Sequence, residues 1–365
     1  MKKISVIILL GWMLFSCTAK PGFEIVGNIA GADGESITLL KNAGKSFVTI
    51  DSTVIENGQF RFKGHIDFPD MYYLSLSQRN DKKQFFLENS LLSISGSADS
   101  LDFLQIEGSN SQKEYEQYEG LMKPFDDQMQ KVFSEYHDAR LADDQDKMND
   151  LSEQYDIIQD GIKSISFQFV LDHAESFISP HIINRLAYDL SLEELAELLD
   201  ALDEKLLINP TVGNLENRLA ALRNTEIGQS APDFELPDTE NNLIKLSDKI
   251  GSKLLLIDFW ACWCSPCRQE NPNVVAVYQK YHDKGFDVFG VSLDDDKDSW
   301  LEAISSDQLT WTHVSQLQGW VSEAAKKYAV SAIPANFLLD DKGIIIAKNL
   351  RGEDLGNKIK EILGE

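Results

Sequence analysis

The feature that most constrains the fold is a short, almost wholly apolar run at residues 253–260, which a pair of cysteines follows closely. A run of this length and composition is typical of a β-strand that is buried on both of its faces. From about Cys264 the pattern predicts a helix that reaches residue 281. A buried strand that leads into a helix indicates an α/β domain, in which helices cover a central sheet.

The same alternation of strand and helix continues to the end of the chain. We predict a second buried strand at residues 286–291, a helix at 321–328, two strands at 336–339 and 344–348 around an Asp-Asp-Lys-Gly turn, and a closing helix at 354–363. This order predicts that residues 226–365 form a three-layer α/β domain with a mixed sheet.

Residues 23–110 are predicted to form a small antiparallel β-sandwich, because short runs with alternating apolar residues recur between turn residues. The runs lie at residues 23–29, 37–40, 47–54, 60–66, 71–76 and 91–95. Asn57 and Gly58 predict a β-hairpin, because a type I′ turn needs positive φ at both central positions. The region resembles the uncharacterised β-domain that often precedes thioredoxin-like domains in lipoproteins of Bacteroidetes-type bacteria, and that resemblance implies no chemistry.

Residues 111–225 are predicted to be helical and rich in acidic side chains. Apolar residues recur every three or four positions, as in the leucines at positions 192, 195, 198, 199 and 202. Ser191 and Glu194 have the spacing of a capping box that opens one of these helices. The acidic side chains are either the solvated faces of packed helices or a surface for a partner.

The first 17 residues have the pattern of an export signal. Lys2 and Lys3 precede an apolar run at residues 4–15, which is shorter than the ~20 residues that a membrane-spanning helix needs. The run ends Leu-Phe-Ser-Cys, which resembles the lipobox of bacterial lipoproteins. The resemblance implies that Cys17 is lipidated and anchors the mature protein to a membrane, on its periplasmic side in the cell envelope. The alternative is a plain secretory signal with an incidental cysteine.

The charge of the chain excludes one class of partner. Asp and Glu number 59 against 34 Lys and Arg, which gives a formal net charge of -25. A nucleic-acid-binding protein needs a basic face to neutralise phosphates, so we predict no nucleic-acid partner.

Cys264 and Cys267 form a Cys-x-x-Cys pair at the predicted start of a helix. The positive end of a helix dipole favours thiolate at the first sulfur, and the second sulfur is close enough to close a disulfide. Pro266 falls at an early helical position, where its missing N–H costs little. A zinc site needs a second pair of ligands at matching spacing, which the sequence lacks. We therefore predict dithiol chemistry with no metal and no cofactor beyond this pair.

The order Trp-x-x-Trp-Cys-x-Pro-Cys at residues 260–267 resembles the thioredoxin superfamily. The segment Gly-Gln-Ser-Ala-Pro-Asp-Phe at residues 228–234 narrows the resemblance to the redoxin branch and its membrane-anchored TlpA- and ResA-type members. The resemblance implies a thioredoxin-like fold and a thiol–disulfide oxidoreductase, most simply a protein-disulfide reductase. Its implied partners are oxidised envelope proteins, apocytochrome c among them, and a membrane thiol that donates electrons.

The resemblance also assigns roles to single residues. Cys264 is the nucleophile and is expected to be exposed, whereas Cys267 is the buried thiol that resolves the mixed disulfide. Asp258 and Glu270 match acids that accept the proton of the resolving thiol, because burial raises a carboxyl pKa toward neutrality. For Glu270 the alternative is a solvated acid near the helix start.

Five residues are candidates for binding the substrate. Ile333 and Pro334 match a family cis-proline that faces the cysteines, so the backbone of Ile333 is expected to present itself to an incoming peptide. Trp260 and Trp263 are expected to flank the thiolate, although either could be a core aromatic. Pro266, between the cysteines, completes the set.

Cys262 departs from the family pattern, which usually has a small residue without a thiol there. It is either a packed, inert thiol or a third redox thiol. Together with Cys264, Cys267 and His313 it raises the alternative of a copper(I)-handling protein. A peroxiredoxin-type peroxidase is a further alternative, but Ala261 stands where that family needs Thr or Ser. The last alternative is a lipoprotein that only binds a partner.

Overall fold

The computed structural model describes residues 22–44 and 46–364. The predicted signal peptide at residues 1–17, with Cys17, lies outside them. In this part of the chain no helix is long and apolar enough to cross a bilayer. The chain divides into two compact units between Ile182 and Ile183, and each unit is described by itself.

The first unit begins with eight strands in two four-stranded sheets. The strands are β1 (Phe23–Ala30), β2 (Ser36–Asn42), β3 (Phe47–Val54), β4 (Gln59–Gly64), β5 (Asp70–Leu76), β6 (Lys82–Leu87), β7 (Leu91–Ser97) and β8 (Gln105–Glu107). One sheet has the order β4-β1-β7-β8 and the other the order β3-β2-β5-β6. Alternate residues of both sheets, such as Ile25, Leu39 and Phe85, meet in one apolar core, as a sandwich requires.

The sequence predicted an antiparallel sandwich, but one pair of neighbouring strands is parallel. Strand β1 lies antiparallel to β4 but parallel to β7. Parallel neighbours need a long crossover connection, and here five strands of the chain lie between β1 and β7. The strands β6 and β8 were also missed, because β6 opens with two lysines and ends in consecutive apolar residues, and β8 has three residues.

The Asn57–Gly58 turn forms as predicted, but the extended hairpin around it does not. Asn57 has φ 53° and Gly58 has φ 76°, and a single bridge joins Glu56 to Gln59. Beyond this bridge the strands separate, because β3 pairs with β2 while β4 pairs with β1. Phe60 and Phe62 of β4 are buried, whereas almost all of β3 is exposed, so the two strands belong to different sheets.

Helices follow, as the sequence predicted. In the first unit α1 (Asn110–Leu141) and α2 (Gln145–Asp172) pack along a small apolar seam, and α3 (Ser179–Leu186) spans the boundary between the units. In the second unit α4 (Leu192–Ala201) precedes α5 (Pro210–Asn224). The capping box is confirmed: the Ser191 hydroxyl accepts from the Glu194 N–H at 3.1 Å, and the Glu194 carboxylate accepts from the Ser191 N–H at 2.7 Å.

The C-terminal sequence forms a thioredoxin-like α/β fold. A short hairpin of β9 (Glu235–Pro237) and β10 (Leu243–Lys245) precedes a five-stranded sheet. In chain order the elements of this domain are β11 (Leu254–Trp260), α6 (Ser265–Tyr281), β12 (Phe286–Ser292), α7 (Lys297–Ser306), β13 (Thr312–Val314), α8 (Glu323–Lys327), β14 (Ala335–Asp340), β15 (Ile345–Lys348) and α9 (Glu353–Leu363).

The sheet is mixed, as predicted, with the order β13-β12-β11-β14-β15. Strands β11, β12 and β13 are parallel, and β14 and β15 are antiparallel to their neighbours. Successive residues of β11 alternate between two cores: Leu256 and Trp260 belong to the core that contains α6, and Ile257 and Phe259 to the core on the opposite face. Helix α7 and strand β13 are additions that the sequence analysis missed.

Candidate active site

Cys264 and Cys267 are joined by a disulfide at the start of α6, with their Cα atoms 5.3 Å apart. Cys264 is the N-cap residue, and its sulfur accepts a hydrogen bond from the Cys267 N–H at 3.2 Å. Pro266 is exposed in the first turn, where no intrahelical hydrogen bond is lost. The N–H group and the positive end of the helix dipole both favour negative charge on the Cys264 sulfur.

Cys264 is not exposed, which corrects the expectation from the sequence. Its exposed fraction is 5%, and that of Cys267 is 1%. Both belong to the core on the α6 side of the sheet, and Ile333 packs against that core. The Ile333 carbonyl oxygen lies 3.6 Å from the Cys264 sulfur. The loop before β14 therefore covers the disulfide.

The Ile333–Pro334 peptide bond is cis, as the family resemblance implied. Pro334 is buried immediately before β14. The Arg351 guanidinium, from the connection between β15 and α9, donates a hydrogen bond to the Pro334 carbonyl oxygen. This contact attaches the loop beside the disulfide to the chain after β15.

Asp258 lies buried in the middle of β11, opposite Asn336 of β14 and Gly290 of β12. Side chains alternate along a strand, so Asp258 points to the same face as Trp260, toward α6. Burial and, to a smaller extent, the negative charge of Glu270 together raise the pKa of Asp258 to about 7, against the opposing positive charge of Arg351. A carboxyl group with this pKa exchanges its proton near neutral pH.

Glu270 is half-buried in the second turn of α6. One of its carboxylate oxygens accepts hydrogen bonds from the Gly352 N–H at 2.9 Å and from the Asn273 side-chain amide at 2.7 Å. Glu270 is thus held between α6 and the segment that leads into α9, and it contributes negative charge to the surroundings of Asp258.

The two tryptophans of the motif lie in different environments. Trp263 is 51% exposed, and its ring centre lies 6.1 Å from that of Trp320. Trp260 is 1% exposed and packs edge-on against the ring of His313. The prediction that Trp260 contacts substrate is wrong for this structure, because its place on β11 turns its side chain into the core.

Cys262 is a free, half-buried thiol beside Asp294. Burial and, after it, the neighbouring Asp294 carboxylate together raise the pKa of the Cys262 thiol to about 12. His313 lies on β13 between Trp260 and Trp311, and burial lowers its pKa to about 3. Within the described ranges, no group of three or more His, Cys, Asp or Glu side chains is placed to hold a metal ion.

Several residues of the site were missed by the sequence analysis. Asp294 follows the end of β12 just as Cys262 follows the end of β11, and the carboxyl ends of parallel strands meet at one edge of a sheet. That rule could have identified Asp294. Nothing in the local sequence marks Trp320 or Arg351, because the fold brings them from distant parts of the chain.

A mixed sheet with a Cys-x-x-Cys disulfide at a helix start, beside a cis-proline, defines the thioredoxin-like class of redox domains. Residues 227–348 match the AhpC/TSA family, and residues 23–115 match a domain of unknown function, DUF4369.

Curated relatives give the family. The thiol-disulfide oxidoreductase ResA of Bacillus thuringiensis subsp. konkukian is 31% identical over 138 residues, which cover 38% of this chain and 77% of that protein. ResA of Geobacillus kaustophilus is 32% identical over 139 residues, which cover 37% of this chain and 78% of that protein. This chain therefore belongs to the family of ResA-type thiol–disulfide oxidoreductases.

Solved structures include similar domains. The C-terminal domain of a thiol-disulfide oxidoreductase from Bacteroides thetaiotaomicron is 43% identical and covers 38% of this chain and 97% of that chain, with a TM-score of 0.37. The thioredoxin domain of a thiol-disulfide oxidoreductase from Bacteroides vulgatus is 35% identical and covers 38% of this chain and 99% of that chain, with a TM-score of 0.36.

Proposed function

We propose that this protein is a reductase of the cell envelope that passes two electrons from the Cys264–Cys267 dithiol to disulfides of exported proteins. The observation that carries the proposal is the position of Cys264. Its sulfur caps α6, accepts the Cys267 N–H and lies beside the Ile333 carbonyl. A thiolate at this place is stabilised, and a peptide that pairs with the Ile333 backbone delivers its own sulfur there.

The exchange balances without a further cofactor. In the reduced protein the Cys264 thiolate attacks one sulfur of a substrate disulfide, a bond forms between the two proteins, and the other substrate sulfur leaves as a thiolate that takes up a proton. Cys267 then loses its proton and attacks the Cys264 sulfur. This step restores the Cys264–Cys267 disulfide and releases the second substrate thiol. A membrane dithiol reduces the disulfide again and is itself oxidised.

Asp258 is the proposed acceptor of the Cys267 proton. It is buried on the same side of the sheet as Cys267, and its pKa of about 7 suits a base at neutral pH. Glu270 acts on Asp258 through its charge. The acid pair lets a buried thiol ionise in an apolar site where an unassisted charge is costly.

The location and the direction of electron flow rest on the sequence. The leader at residues 1–17 and its final cysteine support export and a lipid anchor at Cys17. The Ser-Pro pair between the cysteines resembles reducing members of the superfamily. We propose oxidised envelope proteins as substrates, with apocytochrome c among them, and therefore a contribution to cytochrome c maturation.

The test uses the full-length chain in detergent, with insulin as the disulfide substrate and dithiothreitol as the electron donor. We expect the wild-type protein to accelerate insulin reduction and the Cys264→Ser variant to have no effect. In cells, Cys267→Ser should accumulate mixed disulfides between Cys264 and envelope proteins. An inactive wild-type protein, or an absence of trapped partners, contradicts the proposal. Rapid consumption of hydrogen peroxide supports the peroxidase alternative instead.

A further inference from the structure

Three large apolar side chains lie in solvent beside the disulfide. Trp263, Trp320 and Val321 are 51%, 45% and 44% exposed, and the two indole rings lie 6.1 Å apart, tilted at 54°. We call these three residues the tryptophan face. Trp263 directly precedes Cys264 in the chain, so the face borders the reactive sulfur. Contiguous exposed apolar surface of this kind marks sites of interaction.

The loop that carries Trp320 is held in place by hydrogen bonds. The Ser315 hydroxyl donates to the Ser292 carbonyl at 3.0 Å and accepts from the Leu317 N–H at 3.1 Å. Farther along, the Gln316 side-chain oxygen accepts from the Glu323 N–H at 2.6 Å. Trp320 is therefore exposed on a loop whose conformation is held by hydrogen bonds, one of them to the end of β12.

The same loop contains backbone strain. Leu317 has φ 53°, in the left-handed region that a bulky side chain rarely adopts. Such strain persists where the surrounding contacts impose it, and it is common at ligand-binding sites. Leu317 packs against the core on the α6 side of the sheet, so the strained residue anchors the loop that leads to Trp320.

The chain beside the tryptophan face is acidic. Asp294 binds the N–H of Cys262, and Asp295 and Asp296 follow it with exposed side chains. The nearby cations have other partners: Arg268 pairs with Asp307, and Lys297 donates to the side-chain oxygen of Asn241 at 3.1 Å. The whole chain carries a formal net charge of -25, so its long-range field also favours a cationic partner.

We infer that the tryptophan face is the docking surface for a substrate segment with a large apolar side chain next to its cysteine and basic residues nearby. The inference rests on the proposed function and specifies the substrates that the same disulfide accepts. Because Cys264 is only 5% exposed, a substrate sulfur reaches it only when the flanking chain lies against the surrounding surface. Apolar contact with Trp320 and attraction to Asp295 hold the flanking chain of the substrate against this surface.

The experiment compares three synthetic peptides, each with one internal disulfide, as substrates of the full-length protein in detergent, with dithiothreitol as the electron donor. The first peptide has Leu beside one cysteine and two Lys residues, the second replaces Leu by Ala, and the third replaces Lys by Glu. Hydroxyethyl disulfide is the small reference substrate. We expect wild-type kcat/KM to be about tenfold higher for the first peptide than for the second, a difference typical of one well-placed apolar contact. It should also be higher for the first peptide than for the third, because Glu replaces attraction to the acidic chain by repulsion.

Trp320→Ala is the decisive variant, and Ile362→Ala is its control. Ile362 is an exposed apolar residue on α9, with an exposed fraction of 40%. We expect Trp320→Ala to lose about tenfold in kcat/KM on the first peptide and nothing on hydroxyethyl disulfide, and Ile362→Ala to lose nothing on either. Equal losses on both substrates, or equal wild-type rates on all three peptides, overturn the inference. A wild-type protein that reduces no disulfide at all overturns the proposed function as well.

Discussion

Both carboxylate oxygens of Asp294 accept a hydrogen bond from the Cys262 backbone N–H, at 3.0 and 3.2 Å. The Ser292 hydroxyl donates to the same carboxylate at 2.7 Å. These bonds hold a negative charge next to the third thiol of the site. Together with burial, that charge raises the pKa of Cys262 to about 12, so Cys262 is a protonated, weak nucleophile at neutral pH.

We therefore expect Cys262 to resist alkylation, and Asp294→Asn to increase its reactivity by about tenfold, because one unit of thiol pKa changes the thiolate fraction tenfold. The measurement is the rate of iodoacetamide labelling at pH 8, with Cys264 and Cys267 replaced by Ser. Asp341→Asn, in an exposed turn, is the control. Equal labelling of the wild-type and Asp294→Asn proteins contradicts the role of Asp294.

The pH dependence of the reductase should follow Asp258. Its carboxyl loses a proton near pH 7, so the rate of mixed-disulfide resolution should rise with pH through that value. Asp258→Asn should abolish this rise and slow resolution by about 100-fold, the usual contribution of a general base. Stopped-flow fluorescence of the tryptophans measures the step. An unchanged pH profile in the variant excludes Asp258 as the base.

The same group makes stability depend on pH. In the unfolded chain Asp258 ionises near pH 4, whereas in the folded protein it keeps its proton up to about pH 7. Between these values the folded state binds more protons, so stability falls as pH rises, by up to about 1.4 kcal/mol per unit. Calorimetry of the oxidised proteins measures the effect. As pH rises from 4 to 7, the stability of Asp258→Asn relative to wild type should increase. A relative stability that decreases over this range contradicts the assignment.

Arg268 and Asp307 stabilise the second unit through charge-assisted hydrogen bonds. The Arg268 guanidinium donates to both Asp307 oxygens, one of them at 2.7 Å, and Asn271 donates at 2.7 Å. Burial by itself raises the pKa of Asp307, but these donors lower it overall. Arg268→Ala should therefore cost about 1–2 kcal/mol at pH 7.

The Arg268→Ala deficit should shrink in acid, because the stability from a lowered carboxyl pKa is fully present above the usual value and is lost as pH falls from there through the lowered pKa of Asp307. Urea unfolding at pH 7 and pH 3 measures the difference. Lys358→Ala breaks an exposed pair with Glu361 and should cost less than about 0.5 kcal/mol. A deficit that is the same at both pH values contradicts the ion pair as its cause.

In the N-terminal sandwich, Gly27 of β1 lies under the ring of Phe60, its partner across the sheet. A Cβ atom at Gly27 would come within 1.8 Å of that ring. Gly27→Ala should therefore displace Phe60 from the core and cost about 2–3 kcal/mol. Val26→Ala, on the exposed face of the same strand, is the control, and urea unfolding of the full chain is the measurement. Equal stability of Gly27→Ala and wild type contradicts this packing.

The sequence predicted the elements whose signals are local. The runs at residues 253–260 and 286–291 became β11 and β12, and the Asp-Asp-Lys-Gly turn joins β14 to β15. Strand β13 was missed because three residues are too few for a periodic signal. Helix α7 was missed although Asp296 caps it.

The site was predictable only in part. The cysteines, Asp258 and the cis-proline follow from a motif and a strand pattern. The cover over Cys264 and the pairing of Trp263 with Trp320 depend on loops 55–70 residues farther along. Their positions are set by the packing of the whole sheet, which no local pattern encodes.

The alternation of the chain between the two N-terminal sheets has a consequence for biosynthesis. Strand β1 receives its second neighbour, β7, only when residues 91–97 have been made, and the turn at Asn57–Gly58 sends its two arms into different sheets. The strands that are synthesised first therefore lack some of their neighbours in the sheets until later strands have been made. The sandwich is therefore complete only after β7 and β8 have been made, and domains rich in such distant pairings fold slowly.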